Sequence, residues 1–396
     1  MPLPNSIAAL TSELTEWRRD FHQHPELCYE ETRTAGLVAE RLRAFGFDAV
    51  ETGIGKTGVV GVLHGADGAG AGEGEAIMLR ADMDALPMQE ETGAAHKSTV
   101  AGKLHACGHD GHTTMLLGAA KHLAETRNFK GTVYFCFQPA EEGGAGARSM
   151  IEDGLFERFP CRQVFGMHNW PSLPIGHFAV KPGPMLAAAD EFKVTLEGRG
   201  GHAAKPDKAR DPIVAGAHLV TALQTLVSRS VDPLQPAVLS VTQFHAGSAF
   251  NVIPERAQIG GTVRTFDEDV HLLIHEGIAR LAHETAQMFD MAADVYRGTD
   301  GYYPPTINDP DTASFARAVL AEVAGADQVH TEFPPTMGSE DFSFMSREKP
   351  GVFVFCGNGD TASLHNAKYD FNDDALAHGV AYWSKLVETA LPKSVS

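Results

Sequence analysis

The order of apolar runs along the chain constrains its fold more than any other feature. Leu10, Leu14, Trp17 and Phe21 recur at helical spacing, and EETRTAGLVAERLRAFG repeats that pattern until Gly46 stops it. Strands and helices then alternate: VVGVLHG, AIMLRADMD, the helix TTMLLGAAKHLAE, TVYFCFQP, the helix GARSMIEDG and QVFGMHNW. Such alternation predicts an α/β domain with a parallel or mixed central sheet, whose ligand-binding residues sit in loops after strand ends. Between about Ala188 and Tyr296 the order changes to strand (EFKVTLEG), helix, strand (AVLSVTQFHA), strand (AQIGGTVRTF), helix, strand (ADVYRG). Leu219, Val220, Leu223, Leu226 and Val227 mark the first of these helices, and Val270, Leu273, Ile274, Ile278, Leu281 and Met288 the second. This is the split βαβ, ferredoxin-like order, enough chain for one compact α+β domain. Alternation resumes with DTASFARAVLAEVAG, GVFVFCG and a C-terminal helix from Asp373 to Leu391. The expected organisation is a discontinuous domain, residues 1–187 and 298–396, interrupted by an inserted domain over 188–297. The glycine-rich HGADGAGAGEGEA at 64–76 reads as a flexible surface loop.

Charge narrows the partners. Asp plus Glu number 51 against 32 Lys plus Arg, a net −19. Such a surface repels phosphate backbones and anionic lipid, so neither nucleic acid nor a membrane is an expected partner. No run approaches the roughly 18 apolar residues of a membrane span, and the opening segment lacks the basic start and apolar block of a signal peptide. Five cysteines, an odd number without a CxxC pair, argue against a disulfide framework and for a reducing compartment, the cytoplasm.

Two nucleotide motifs fail on context. TGIGKTG is a formal GxGxxG, but a β-type run follows it where a helix is required, and Val50 stands where a P-loop needs glycine. The informative segment is HACGHDGH, which packs His105, Cys107, His109, Asp110 and His112 just before an apolar helix. Thiol, imidazole and carboxylate together are ligands for zinc, manganese, cobalt or nickel, whereas the bland reading is a polar helix cap. Glu141 and Glu142 emerge from the end of TVYFCFQP. In extended chain they would point opposite ways, one to a metal and its neighbour to a water; read alone they also fit a solvated turn. Strand ends deliver His168 in GMHNW and His365 in SLHNAKYD, each by itself as well explained as a structural histidine. Cys107, His109, Glu142, His168 and His365 make five potential ligands. A four-coordinate catalytic zinc uses three, so the count suits two metals sharing a bridging group.

The segments RRDFHQHPEL, LRADMDALPMQE, HACGHDGHTT, FQPAEEGGAGARSMI, GMHNWP, GRGGHAAKPD, FNVIPE, GTVRTF, MGSEDFSF and LHNAKYDFND span nearly the whole chain. In that order they resemble the metal-dependent hippurate hydrolases and N-acyl-amino-acid amidohydrolases, related to aminoacylase and the two-metal carboxypeptidases. The resemblance implies a metallohydrolase domain interrupted by a lid or dimerisation domain, and hence a homodimer or homotetramer. It implies two divalent ions per subunit held by Cys107, His109, Glu142, His168 and His365, with Glu141 as general base. Arg80–Asp82 (RAD) occupies the segment where distant relatives have HxD, so Asp82 is expected only to orient a ligand. His202 is similar to an oxyanion stabiliser, in its own subunit or across a dimer, and Asn251 and Arg264 to a clamp for a substrate carboxylate. From the residues alone these three read as a turn His, a loop Asn and an exposed strand Arg. The implied substrate is a small N-acyl amino acid, N-benzoyl or N-acetyl, cleaved to a carboxylic acid and a free amino acid. Competing readings are an N-acetyl-diaminopimelate or other N-acetyl-amino-acid deacetylase, a dipeptidase or carboxypeptidase, and a non-catalytic metal-binding protein.

Overall fold

Four neighbouring strands rich in apolar residues form the middle of a sheet in the computed structural model, which describes residues 4–66, 75–298 and 302–393. The chain divides into two compact units: Met1–Met185 with Ile307–Pro334 and Asp341–Ser396, and Leu186–Thr306 with Pro335–Glu340. The first is built on an eight-stranded mixed sheet ordered Ala49–Ile54, Gly58–His64, Thr132–Gln138, Ala76–Asp82, Gln163–Pro171, Gly351–Gly359, Phe178–Ala179, Val329–His330. Thr132–Gln138, Ala76–Asp82, Gln163–Pro171 and Gly351–Gly359 run parallel. The first two are buried at every residue, which is why TVYFCFQ and AIMLRAD read as continuous runs without polar alternation. Helices Thr11–Gln23, His109–Thr126 and Leu376–Ala390 supply Leu14, Phe21, Leu116, Leu117, Val380 and Trp383 to the same core.

Two local differences from the sequence reading have physical causes. The helix after HACGHDGH runs from His109, a turn earlier than its apolar run, so His109, Asp110 and His112 occupy its first turn. Residues 49–54 form a strand that glycines obscure: Ala49–Ile54 pairs antiparallel with Gly58–His64 across a bulge between Thr52 and Ile54. The GxGxxG match is thus a β-hairpin, as its β-type continuation requires. The glycine-rich loop expected at 64–76 lies, over 67–74, outside the described residues.

The second unit carries a four-stranded antiparallel sheet ordered Ala237–Ala246, Arg256–Thr265, Asp190–Glu197, Ala292–Tyr296. Helices Pro212–Thr225 and Glu268–Met288 cover it through Leu219, Leu223, Ile274 and Ile278. Strand order 2-3-1-4 with two helical crossovers is the ferredoxin-like arrangement. All five cysteines are free, and among the described residues no helix is long and apolar enough to cross a membrane.

Candidate metal centre

Three parallel strand ends and one helix start converge in the first unit. The turn before the helix His109–Thr126 is fixed by Gly108, whose φ of 90° is left-handed and whose missing Cβ would lie 2.2 Å from Asn169 Nδ2 and 2.6 Å from Tyr369 Oη. Only glycine satisfies both demands, and that turn aims Cys107 and His109 inward. At the end of Thr132–Gln138 the chain makes a tight turn: Ala140 and Ala145 take φ of 52°, and Glu142 has φ −73° and ψ 69°. Glu141 and Glu142 therefore do not diverge as extended neighbours would. One oxygen from each lies with a His109 nitrogen in a group whose atoms are all within 4.8 Å of one another.

Two further donor groups meet the same limit: Cys107, His109 and His168, and Cys107, Glu142 and His365. Cys107 Sγ belongs to both, so the five residues read as ligands come together as two triads sharing one thiol. Cys107 Sγ stands 3.3 Å from His168 Nε2, while His168 Nδ1 donates to the Asn169 carbonyl at 2.6 Å, leaving Nε2 as the acceptor. Glu142 Oε1 faces His365 Nε2 at 3.1 Å without the alignment of a hydrogen bond. His365 has a left-handed φ of 57° and is half exposed, whereas Cys107, His109 and His168 are buried.

The neighbours of this cluster separate its histidines by role. His109 Nδ1 meets Asp84 Oδ1 at 3.1 Å, and Asp84 Oδ2 accepts the Glu142 N–H at 2.9 Å and the Cys28 thiol at 3.3 Å. Asp84 was not singled out in the sequence; its signal is the spacing Asp82, Asp84, which puts two carboxylates on one side of an extended segment. His112 has both nitrogens engaged, Nδ1 with Asp82 Oδ1 at 2.7 Å and Nε2 accepting the Asn169 N–H at 2.9 Å. It orients its neighbours and has no lone pair left to offer. Asp82 does the same, also receiving Arg80 Nη1 at 2.8 Å. Arg80, fully buried, reaches Gln138 Oε1 at 2.7 Å and Asp341 Oδ1 at 3.0 Å, so it acts as a structural cation. Glu141 is buried, and the Asp341 N–H approaches its Oε1 at 3.4 Å.

Electrostatics show what the cluster lacks. Burial pushes the Cys107 thiol well up, and the Glu142, Glu141 and Asp82 carboxylates push it further. His109 is raised to about 10: burial opposes the charged ring, but Asp82 and the hydrogen-bonded Asp84 overcome it. Both shifts are responses to surplus negative charge in a buried place. Among the described residues, His109 Nε2 and Glu142 Oε1 are buried without a hydrogen-bond partner. Buried polar atoms are seldom left so. Orphaned donor atoms, excess carboxylate and one thiol among imidazoles fit a divalent cation of borderline softness.

The remaining three residues lie in the second unit. His202 and Asn251 are exposed and adjacent: His202 pairs with Val252, and Ala203 N–H donates to the Asn251 carbonyl at 3.0 Å. Arg264, half-buried, reaches Ser339 Oγ at 3.2 Å. It stands at the far end of Arg256–Thr265 from Asn251, a separation on the order of 25 Å at strand rise. The structure therefore does not bring Asn251 and Arg264 together within one chain as a single clamp would require.

The comparisons agree with this geometry. Residues 78–389 match the model of peptidase family M20/M25/M40. A hippurate hydrolase of Campylobacter jejuni is 44% identical over 386 residues, covering 98% of each chain. An N-acetylcysteine deacetylase of Bacillus subtilis is 37% identical, covering 97% of this chain and 98% of its own. A Bacillus subtilis crystal structure described as a dinuclear metal binding peptidase of the M20 family superposes with a TM-score of 0.82 at 34% identity, over 96% of this chain and 98% of that one. By the family match across most of its length and by these full-length relatives, the chain belongs to peptidase family M20/M25/M40.

Proposed function

We infer that the protein hydrolyses the amide bond of N-acyl amino acids, releasing a carboxylic acid and a free amino acid. Cys107, His109, Glu142, His168 and His365 would hold two divalent ions. The observation that carries this reading is the Cys107 thiol shared by two donor triads, with Glu141 against them. A pair of divalent ions supplies Lewis-acid polarisation of the acyl carbonyl and acidifies water for attack. Glu141 accepts the proton of the attacking water and passes it to the departing nitrogen. A metal-storage or sensing protein needs the ligands but has no use for a buried carboxylate beside them.

In the second unit, Arg264 is suited to the substrate carboxylate by its planar pair of donors, and His202 to the oxyanion, a donor role worth about 3 kcal/mol. Because Asn251 and Arg264 are far apart in one chain, a clamp using both takes Arg264 from one copy and Asn251 from another. The exposed end of the edge strand Ala237–Ala246, with Phe244, Phe250 and Val252 also exposed, supports a homodimer formed through this unit. The free thiols fit the reducing cytoplasm. The relatives are named for amides of different acyl groups, benzoyl in hippurate and acetyl in N-acetylcysteine. The acyl preference is therefore to be read from a panel of N-benzoyl, N-acetyl and N-indoleacetyl amino acids with manganese, zinc, cobalt or nickel.

The decisive variant is Glu141→Gln. It should keep the parent's metal content while kcat falls about 100- to 10,000-fold. Near-normal kcat in this variant overturns the base, and turnover of dipeptides but not of N-acyl amino acids by the unaltered protein overturns the substrate class.

A further inference from the structure

A second donor cluster lies in the other unit and shares no residue with the candidate metal centre; its Asp190 pairs across the sheet with Val263, the neighbour of Arg264. His271 and His275 stand one turn apart on the helix Glu268–Met288, so their rings share a face, with centroids 4.5 Å apart. Opposite them is Asp190, the first residue of the unit's first strand. Its Oδ1 is occupied by the Glu191 N–H at 2.6 Å. Its Oδ2 faces both rings, 3.0 Å from His271 Nε2 and 2.8 Å from His275 Nε2. We propose that Asp190, His271 and His275 form a further cation site, which takes one divalent ion of the zinc, cobalt or nickel type.

Three observations carry this. The three ligand atoms lie within 4.8 Å of one another, and Asp190 and His275 are each 3% exposed. A single carboxylate oxygen aligns with only one of the two rings. His271 makes the hydrogen bond, while the His275 contact is off line, and neither His275 nitrogen finds a hydrogen-bond partner among the described residues. A buried imidazole with an unpaired nitrogen aimed at a carboxylate it does not hydrogen-bond is the arrangement that an ion between them completes. The cluster is also closed in: the Tyr302 ring stacks on His271 at 4.6 Å, and a Cβ on Gly298 would lie 2.7 Å from Asp190 Oδ1. Two imidazoles and a carboxylate suit borderline divalent ions better than calcium or magnesium, which prefer all-oxygen sites. No candidate general base sits in the described cluster, so the ion's role is to pin the helix to the first strand of the sheet.

The test uses the full chain with the candidate catalytic centre disabled by Cys107→Ser and His109→Ala. After equilibrium dialysis against zinc, this protein should retain about one zinc per chain, and its Tm should rise with zinc. Adding His275→Gln, or the milder His271→Gln, should abolish both effects. Cobalt in place of zinc gives a readout that needs no change at the site: d–d bands of a nitrogen and oxygen ligand set, without a thiolate charge-transfer band. Zinc retention and Tm response that are the same with and without the His275 and His271 substitutions overturn the proposal, as does the absence of a cobalt spectrum in the disabled background. In the unaltered chain, thiolate-to-cobalt absorption reports the Cys107 centre separately, so failure of one site is distinguishable from failure of the other.

Discussion

Asp84 holds two parts of the candidate centre with one carboxylate, the Nδ1 side of His109 and the backbone of Glu142. Its bond to Nδ1 leaves Nε2 to face the cluster and raises that nitrogen's basicity. Asp84→Asn should therefore lower metal affinity about 10- to 100-fold. Turnover should be weak at low metal and recover as metal is raised, in a titration of kcat against added manganese or zinc; loss that no metal concentration restores would place Asp84 in the chemistry itself. Residue by residue, the sequence showed donor types but not their partners. Cys107, His109, Glu142, His168 and His365 stood out as donor types because Cys107 and His109 sit at the start of an apolar helix, His168 lies near the end of an apolar strand and Glu142 and His365 follow such strands. The sequence reading counts His109 as a ligand and not His112, but the reason is visible only in the fold: Asp84 orients His109, while Asp82 and Asn169, the latter on a distant strand, occupy both nitrogens of His112. His271 and His275 carried no signal, because Asp190 is some eighty residues away.

Turns between elements do most of the aiming. Gly108→Ala meets two obstacles at once, a left-handed φ and a Cβ driven into Asn169 and Tyr369. Gly102 has a φ of 74° with nothing within 4 Å of its Cβ position, so Gly102→Ala measures the backbone cost alone, about 1 kcal/mol. Gly108→Ala should lower Tm further than Gly102→Ala and, unlike it, reduce bound metal, because the displaced turn carries Cys107 and His109; equal effects would mean that the neighbours yield. The elements themselves were largely visible in the periodicity of apolar residues, including the split order of the second unit. The strand Ala49–Ile54 was not, because Gly53 and Gly55, at φ of 84° and 58°, accommodate a bulge and a tight turn while looking like loop composition. The first turn of His109–Thr126 was hidden for a similar reason: its residues are polar because they face a site.

Across the whole first unit, one buried ionic network ties the start of the chain to its end. Arg18 on Thr11–Gln23 reaches Asp370 at 2.8 Å and Asp373 at 2.6 Å, while His22 on the same helix meets Asp110 at 2.8 Å and Glu90 at 3.4 Å. Burial alone would lower His22, but its bonds to Asp110 and Glu90 raise it to about 9, and Glu90, despite burial, is lowered to about 2 by His22, Thr92 and the Ser98 N–H. Protonated His22 therefore contributes its full stability below about pH 6.5 and loses it as pH rises through about 9. Ionised Glu90 contributes fully above its ordinary range and loses it as pH falls through about 2. Thermal melts of the parent and His22→Gln should differ most between about pH 4.5 and 6.5 and converge in alkali; a gap constant to pH 10 would show that His22 acts by packing alone. On the two-ion reading, the exposure of His365 makes the pair unequal. One position draws on Cys107, His109 and His168, all sealed from solvent; the other ends at Glu142 and a half-exposed imidazole. Ions should thus leave in a fixed order, and a chelator should extract them in two kinetic phases, the fast one passing through the His365 side. The half-loaded protein becomes a discrete species, and recharging the vacated position with a different element would yield a mixed-metal enzyme.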